Sequence, residues 1–194
     1  AKQYLVDLAL EAVDCGAIMV VLDDVCFPPN SLTADAYFGD IQGISRAQAL
    51  AEFNREFQEA VAQRGGRSAV YLTGATLAGE PNPTMYGGPA ADTAPQQVLL
   101  GTMPYQFPQG FSTPKLTLRR PLENPADTVK QVVKMAREEL GEDRTILPLI
   151  QGGAEPQSMV YTAEQIAAQI KALDALDLEE YVLYCTDYNA YLLP

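Results

Sequence analysis

Short apolar segments without polar alternation recur along the chain and constrain its fold more than any other feature. The first occupies residues 17–25 and reads A-I-M-V-V-L-D-D-V, an apolar run that ends in two aspartates. Such a run is typical of a strand that is buried on both faces of a parallel sheet. Four similar segments predict further strands, at 68–73, 97–103, 145–150 and 181–185.

Helical patterns fill most of the intervals between these strands. Ser45 stands before one helix as an N-cap, Asn124 with the following proline opens another, and Thr162 begins a capping box. Helices are therefore predicted at 2–15, 46–63 and 125–140 and from residue 163 onward. The alternation of strands and helices predicts the α/β class with a parallel sheet.

The loops are unequal in length, which indicates where a site would lie. Those that follow strands are long, whereas the returns from helix to strand are short; the long loops are at 24–44, 74–95, 104–124 and 151–161. In (β/α) barrels the active site is built from the loops at the carboxyl ends of the strands. A complete barrel has eight strands in about 250 residues. Five strands and an opening helix therefore predict the C-terminal portion of a TIM-type barrel, about strands 4–8. The whole chain, 1–194, is interpreted as a single partial (β/α)-barrel domain that lacks its N-terminal strands.

The composition excludes several classes of function. The chain has no histidine, which rules out histidine-dependent catalysis and histidine-ligated zinc. With 13 Lys+Arg against 25 Asp+Glu, its formal net charge of −12 disfavours nucleic acid as a partner. No apolar run approaches the ~20 residues of a membrane helix. No nucleotide-binding glycine motif is present, and neither a cofactor nor a metal is predicted. If the protein is an enzyme, carboxylates supply its acid and base.

Five motifs, in order along the chain, carry a resemblance to a known family. The first is V-V-L-D-D-V-C-F-P at 20–28, where the family has F-D-Y-V-R-F-P. The others are M-P-Y-Q-F-P at 103–108, N-P-A-D-T-V at 124–129, L-P-L-I-Q at 147–151 and Y-V-L-Y at 181–184. Together they resemble the putative glycoside hydrolase domain of bacterial proteins, a (β/α)-barrel family. The resemblance implies a carbohydrate substrate or ligand and an extracellular or cell-envelope location. The chain departs from the family at Cys26, which replaces an arginine, and at Leu149 and Tyr184, which replace tryptophans.

Carboxylates near strand ends are the candidate catalytic residues. Asp23, aligned with the family's aspartate, is the first choice as nucleophile or base, and Asp24 is the second. The competing interpretation is that the carboxylates of both aspartates accept hydrogen bonds from backbone amides of the loop that follows. A glycosidase normally needs a second carboxylate, and Asp187, directly after the last strand, is preferred over Glu80 and Glu155.

Aromatic and amide side chains at strand ends are the candidate sugar-binding residues. The resemblance places Tyr105 and Gln151 at such ends, where a ring can stack on a sugar face and an amide can bind its hydroxyls. Tyr184 could add stacking surface. The competing interpretations are packing for the tyrosines and loop hydrogen bonding for Gln151.

These features predict a glycoside hydrolase-like domain that uses carboxylate catalysis. Two alternatives stay open. One is a non-catalytic carbohydrate-binding barrel, because the arginine and both tryptophan positions differ from the family. The other is a sugar-phosphate lyase or isomerase, in which Gly152 and Gly153 would hold a phosphate through backbone amides.

Overall fold

The computed structural model describes residues 2–28, 43–79, 85–153 and 161–185. The strands are β1 (Met19–Leu22), β2 (Arg67–Thr73), β3 (Gln97–Gly101), β4 (Phe111–Ser112), β5 (Thr117–Leu118), β6 (Thr145–Gln151) and β7 (Val182–Tyr184). The helices are α1 (Lys2–Asp14), α2 (Arg46–Gln63), α3 (Gly74–Leu77), α4 (Pro125–Leu140) and α5 (Ala163–Asp174). Short 3₁₀ helices span Ala90–Thr93 and Pro104–Gln106. None of the described helices is long and apolar enough to cross a membrane.

The chain forms two compact units. The first consists of Ala1–Leu99 with Glu142–Thr145, and the second of Leu100–Gly141 with Ile146–Pro194. In the first unit, α1 and α2 pack together and α2 packs on β2. The core of this unit contains the cluster Ala9, Phe53, Phe57 and Val61, against which Val6, Val13, Val20, Leu22 and Val25 pack.

The second unit is built around the packing of α4 on α5. The inward side of α4 carries Val129, Val132, Val133 and Ala136, none of which is solvent-exposed. Ile166 and Leu173 of α5 are equally buried. Apolar residues at helical spacing thus give each helix one buried stripe, as the sequence pattern predicts.

Five strands form one parallel sheet in the order β1-β2-β3-β6-β7. β1 pairs in parallel with β2, and β6 pairs in parallel with β7, with Gln151 opposite Tyr184. The predicted fold class is therefore confirmed. Because the paired strands are parallel, the carboxyl ends of β1 and β2 lie together in the first unit. Those of β6 and β7 lie together in the second.

Capping chemistry sets the helix boundaries closely. Ser45 and Gln48 form a reciprocal capping box at the start of α2, at 3.2 and 2.8 Å. Thr162 and Gln165 form the same motif at the start of α5. The side chain of Asn124 does not cap α4, although the helix begins where predicted. Its Nδ2 instead donates to the carbonyl of Arg120 at 3.2 Å.

The segment 104–124, interpreted from the sequence as loop, contains additional structure. β4 and β5 pair in antiparallel register as a small hairpin, with Phe111 opposite Leu118. Each strand has two residues, which is too short for an alternating pattern to be recognised in the sequence.

Truncating Phe57 tests the core of the first unit. Its side chain is 1% exposed, so Phe57→Ala leaves a cavity and is expected to lower the free energy of unfolding by about 3–5 kcal/mol. Tyr4→Ala, at an aromatic residue that is 69% exposed, is the control and should cost less than about 0.5 kcal/mol. Denaturant unfolding of both variants measures the difference. Equal effects would contradict the described core.

Candidate functional site

The two aspartates lie in a strained turn that directly follows β1. The strand ends at Leu22, so the alternation of side chains along a strand does not extend to Asp23 and Asp24. Asp24 has φ +52°, a left-handed conformation that is uncommon for residues other than glycine. The Oδ1 atom of Asp23 accepts a hydrogen bond from the Asp24 amide at 2.8 Å. Both residues are exposed, so their carboxylates are open to a ligand.

A chain of polar side chains runs from the end of β2 to this turn. The hydroxyls of Thr73 and Thr76 lie 2.9 Å apart, and Thr76 hydrogen-bonds Tyr86, which in turn hydrogen-bonds Cys26. The amide of Phe27 donates to the carbonyl of Met85 at 2.8 Å. These bonds tie the segment after β1 to the segment that carries Tyr86.

The protonation of this cluster follows from burial and from the neighbouring aspartates. Burial, followed by the negative charge of Asp24, raises the pKa of the Cys26 thiol, and the hydrogen bond from Tyr86 opposes that shift. Burial, with contributions from Cys26 and Asp24, raises the pKa of Tyr86 to about 12. At neutral pH both groups are therefore uncharged. Position 26 thus carries no counterpart to the guanidinium that the family resemblance would place there.

A cation nevertheless lies over the ring of Phe27, three residues after Asp24. The guanidinium carbon of Arg46, the first residue of α2, lies 5.1 Å from the centre of the Phe27 ring, within the range of a cation–π contact. The first turn of α2 also packs against Gly87, which follows Tyr86. A Cβ on Gly87 would lie 2.7 Å from the backbone nitrogen of Ala47, and its φ of +71° also favours glycine. Sequence reasoning missed Arg46, because only tertiary packing brings α2 to Phe27.

In the second unit, the three predicted sugar-binding residues come together. The rings of Tyr105 and Tyr184 stack with centroids 6.0 Å apart and planes inclined by 17°. The side chain of Gln151 is fully buried. Its Oε1 accepts from the amide of Tyr105 at 3.2 Å, and its Nε2 donates to the carbonyl of Gly153 at 3.0 Å.

Gly152 packs closely against the neighbouring strand. Its amide donates to the carbonyl of Tyr184 at 2.7 Å, and a Cβ at this position would lie 3.1 Å from the same oxygen. The amide of Gly152 is therefore committed to the neighbouring strand. It is not available for the phosphate that the sugar-phosphate alternative requires.

Three candidate carboxylates, Asp187, Glu80 and Glu155, fall outside the described residues. The second carboxylate of a glycosidase site therefore stays a prediction. Within the described part of the chain, no group of three or more His, Cys, Asp or Glu residues could hold a metal ion.

The first unit also has a depression at the amino ends of β2 and β3. Its volume is about 780 Å³, and its lining includes Gln58, Arg67, Gln96 and Arg144. The polar groups here bond to one another: Gln58 Nε2 donates to the carbonyl of Ser68 at 2.9 Å, and Gln58 Oε1 accepts from the amide of Gln96 at 3.0 Å. In (β/α) barrels this face contributes to stability, and we interpret the network in that way.

The reactivity of Cys26 tests the electrostatics of the turn. Because its pKa is raised, the thiolate fraction at a given pH is reduced, and alkylation should reach half its maximal rate above the ordinary pH for a cysteine. Tyr86→Phe removes the hydrogen bond that favours the thiolate and should shift this midpoint further upward. Mass spectrometry of iodoacetamide labelling between pH 7 and 11 measures it peptide by peptide. A midpoint below the ordinary value, or a downward shift in Tyr86→Phe, would contradict the described cluster.

A comparison with solved structures finds the PgaB (BpsB) glycoside hydrolase domain from Bordetella bronchiseptica, with a TM-score of 0.61 and 14% sequence identity. The match covers 97% of this chain and 57% of the other chain, so the protein spans little more than half the length of that neighbour. At this level of identity, the similarity shows the fold. No curated protein matches the chain.

A family model covers nearly the whole sequence. Residues 1–191 match the family described as "Putative glycosyl hydrolase domain". This match confirms the resemblance carried by the five motifs. The chain therefore belongs to the family of putative glycosyl hydrolase domains.

Proposed function

We propose that this domain hydrolyses O-glycosyl bonds in a carbohydrate, with Asp23 as the catalytic carboxylate. The observation that carries the proposal is the exposed carboxylate pair in a left-handed turn directly after β1. Strained backbone is concentrated at functional sites, and barrel enzymes place their catalytic groups directly after strands. Membership of a glycosyl hydrolase family supports the same reaction class.

Each candidate residue receives a defined role. Asp23 acts as nucleophile or general base towards the anomeric carbon, and Asp24 is the substitute if Asp23 serves only to hold the turn. Asp187 is proposed as the second carboxylate, which protonates the leaving oxygen. Tyr105 and Tyr184 offer their stacked rings to a sugar face.

We further propose that residues 1–194 form one partial (β/α)-barrel domain, corresponding to about strands 4–8. Two observations support it. The sheet has five parallel strands, and the structural match extends over 57% of a glycoside hydrolase domain.

A second candidate function is carbohydrate binding without hydrolysis. It is favoured by Cys26, a neutral thiol where the family resemblance has a guanidinium, and by the tyrosine pair, which needs no acid or base to hold a sugar. A glycan array followed by assay of the bound glycans separates the two functions. Binding with product release supports hydrolysis, and binding alone supports the second candidate.

Replacing Asp23 tests its catalytic role. Asp23→Asn keeps the side-chain shape and can still accept the hydrogen bond from Asp24, but it removes the charge that stabilises an oxocarbenium-like transition state. We expect kcat on a cleaved glycan to fall on the order of 10³-fold, equivalent to about 4 kcal/mol.

Asp24→Asn is the matched control, because Asn also tolerates the left-handed conformation. Melting curves of both variants control for folding. A large loss in Asp24→Asn with near-normal turnover in Asp23→Asn would transfer the role to Asp24.

A further inference from the structure

We infer that Gln151 and Gln169 are positioning residues, which together fix the tyrosine pair in its stacked arrangement. This inference rests on the proposed function, since it assigns to that pair the sugar-stacking surface. It gives Gln151 a different task from direct contact with the sugar, and it adds Gln169, which no sequence motif indicates.

Gln169 holds the main chain at the end of β6. Its Nε2 donates to the carbonyl of Gln151 at 2.8 Å, and its Oε1 accepts from the amide of Gln151 at 3.2 Å. Gln169 comes from α5 and is fully buried. One side-chain amide therefore satisfies both backbone groups of a single buried residue. Removing it leaves those two groups without these partners, which is costly in a buried environment.

The side chain of Gln151 in turn holds the backbone of Tyr105. Its Oε1 accepts from the Tyr105 amide and its Nε2 donates to the Gly153 carbonyl. The side chain thereby joins the loop after β3 to the loop after β6. Because Gln151 has no exposed surface, a sugar in solvent cannot reach its amide without displacing protein.

The position of Gln151 also explains why both rings are held together. In the pairing of β6 with β7, Gln151 lies opposite Tyr184, and the amide of the next residue, Gly152, donates to the Tyr184 carbonyl. Gln151 thus fixes Tyr184 through strand register and Tyr105 through its side chain. The stacked rings, 6.0 Å apart, follow from these two attachments.

A ligand-free measurement tests the positioning directly. Gln151→Met and Gln169→Met keep the side-chain length and remove the hydrogen bonds. We expect the backbone amide of Tyr105 to exchange its hydrogen at least tenfold faster in both variants, and the NMR contacts between the two rings to weaken. Gln151→Glu keeps an acceptor for the Tyr105 amide and should preserve more of the protection. Gln3→Met, at an exposed glutamine on α1, controls for a general effect of the substitution.

A double-mutant cycle on sugar affinity separates positioning from direct contact. The probe is the strongest-binding glycan on an array of neutral, amino and acidic oligosaccharides, titrated against each variant. Tyr105→Ala is expected to weaken binding about tenfold, and Gln151→Met by a similar factor. If Gln151 acts through Tyr105, the double variant should bind no more weakly than Tyr105→Ala alone.

The outcomes distinguish this inference from the proposed function. Multiplicative losses in the double variant would show direct contact by Gln151 and overturn the positioning role. Unchanged Tyr105 exchange in Gln151→Met would overturn it as well. If wild-type protein binds no glycan, the proposed function fails. The exchange experiment then still decides whether the glutamines hold the rings. Should Gln151→Met not fold, Gln151→Glu and Gln169→Met provide the same comparisons.

Discussion

Parallel pairing of neighbouring strands is the constraint on which the candidate site depends. It brings the ends of β1 and β2 together in the first unit and those of β6 and β7 together in the second. Residues far apart in sequence become neighbours as a consequence: Gln151 meets Tyr184 through register, and the Tyr86 segment meets Phe27 through a backbone hydrogen bond. A substitution at one of these positions can therefore change the chemistry of the site, because strand pairing still determines where the new side chain lies.

The two groups of site residues differ in how they are held. The aspartates are exposed, and a short turn with one left-handed residue holds them, so their carboxylates are free to meet a ligand. The backbone amide of Tyr105 is held by the fully buried Gln151 side chain, and the fully buried Gln169 side chain holds the main chain of Gln151. Because these hydrogen bonds already hold Tyr105 in place, less conformational entropy is lost when a sugar stacks on the rings. An exposed carboxylate pair and a hydrogen-bonded aromatic pair are each compatible with both candidate functions.

Local signals in the sequence predict the longer helices and the strands of the five-stranded sheet, whereas the contacts between elements cannot be predicted from it. The helix expected at 46–63 is Arg46–Gln63, because Ser45 and Gln48 form a cap that needs only neighbouring residues. The β4–β5 hairpin was missed because its strands are too short to show a period. Sequence reasoning does not assign Arg46 and Gln169 to the site, because each reaches it from another element through tertiary packing. A glutamine whose side chain hydrogen-bonds the main chain cannot be distinguished from any other glutamine in the sequence.

The most direct test of the account is a crystal structure of the protein with an oligosaccharide bound. The central claim is that carbohydrate binds at the carboxyl ends of the strands. It predicts sugar density against the rings of Tyr105 and Tyr184, with the Gln151 side chain still covered by protein. Sugar density found only in the depression at the amino ends of β2 and β3, on Arg67 and Gln96, with none against the tyrosine rings, would contradict the claim.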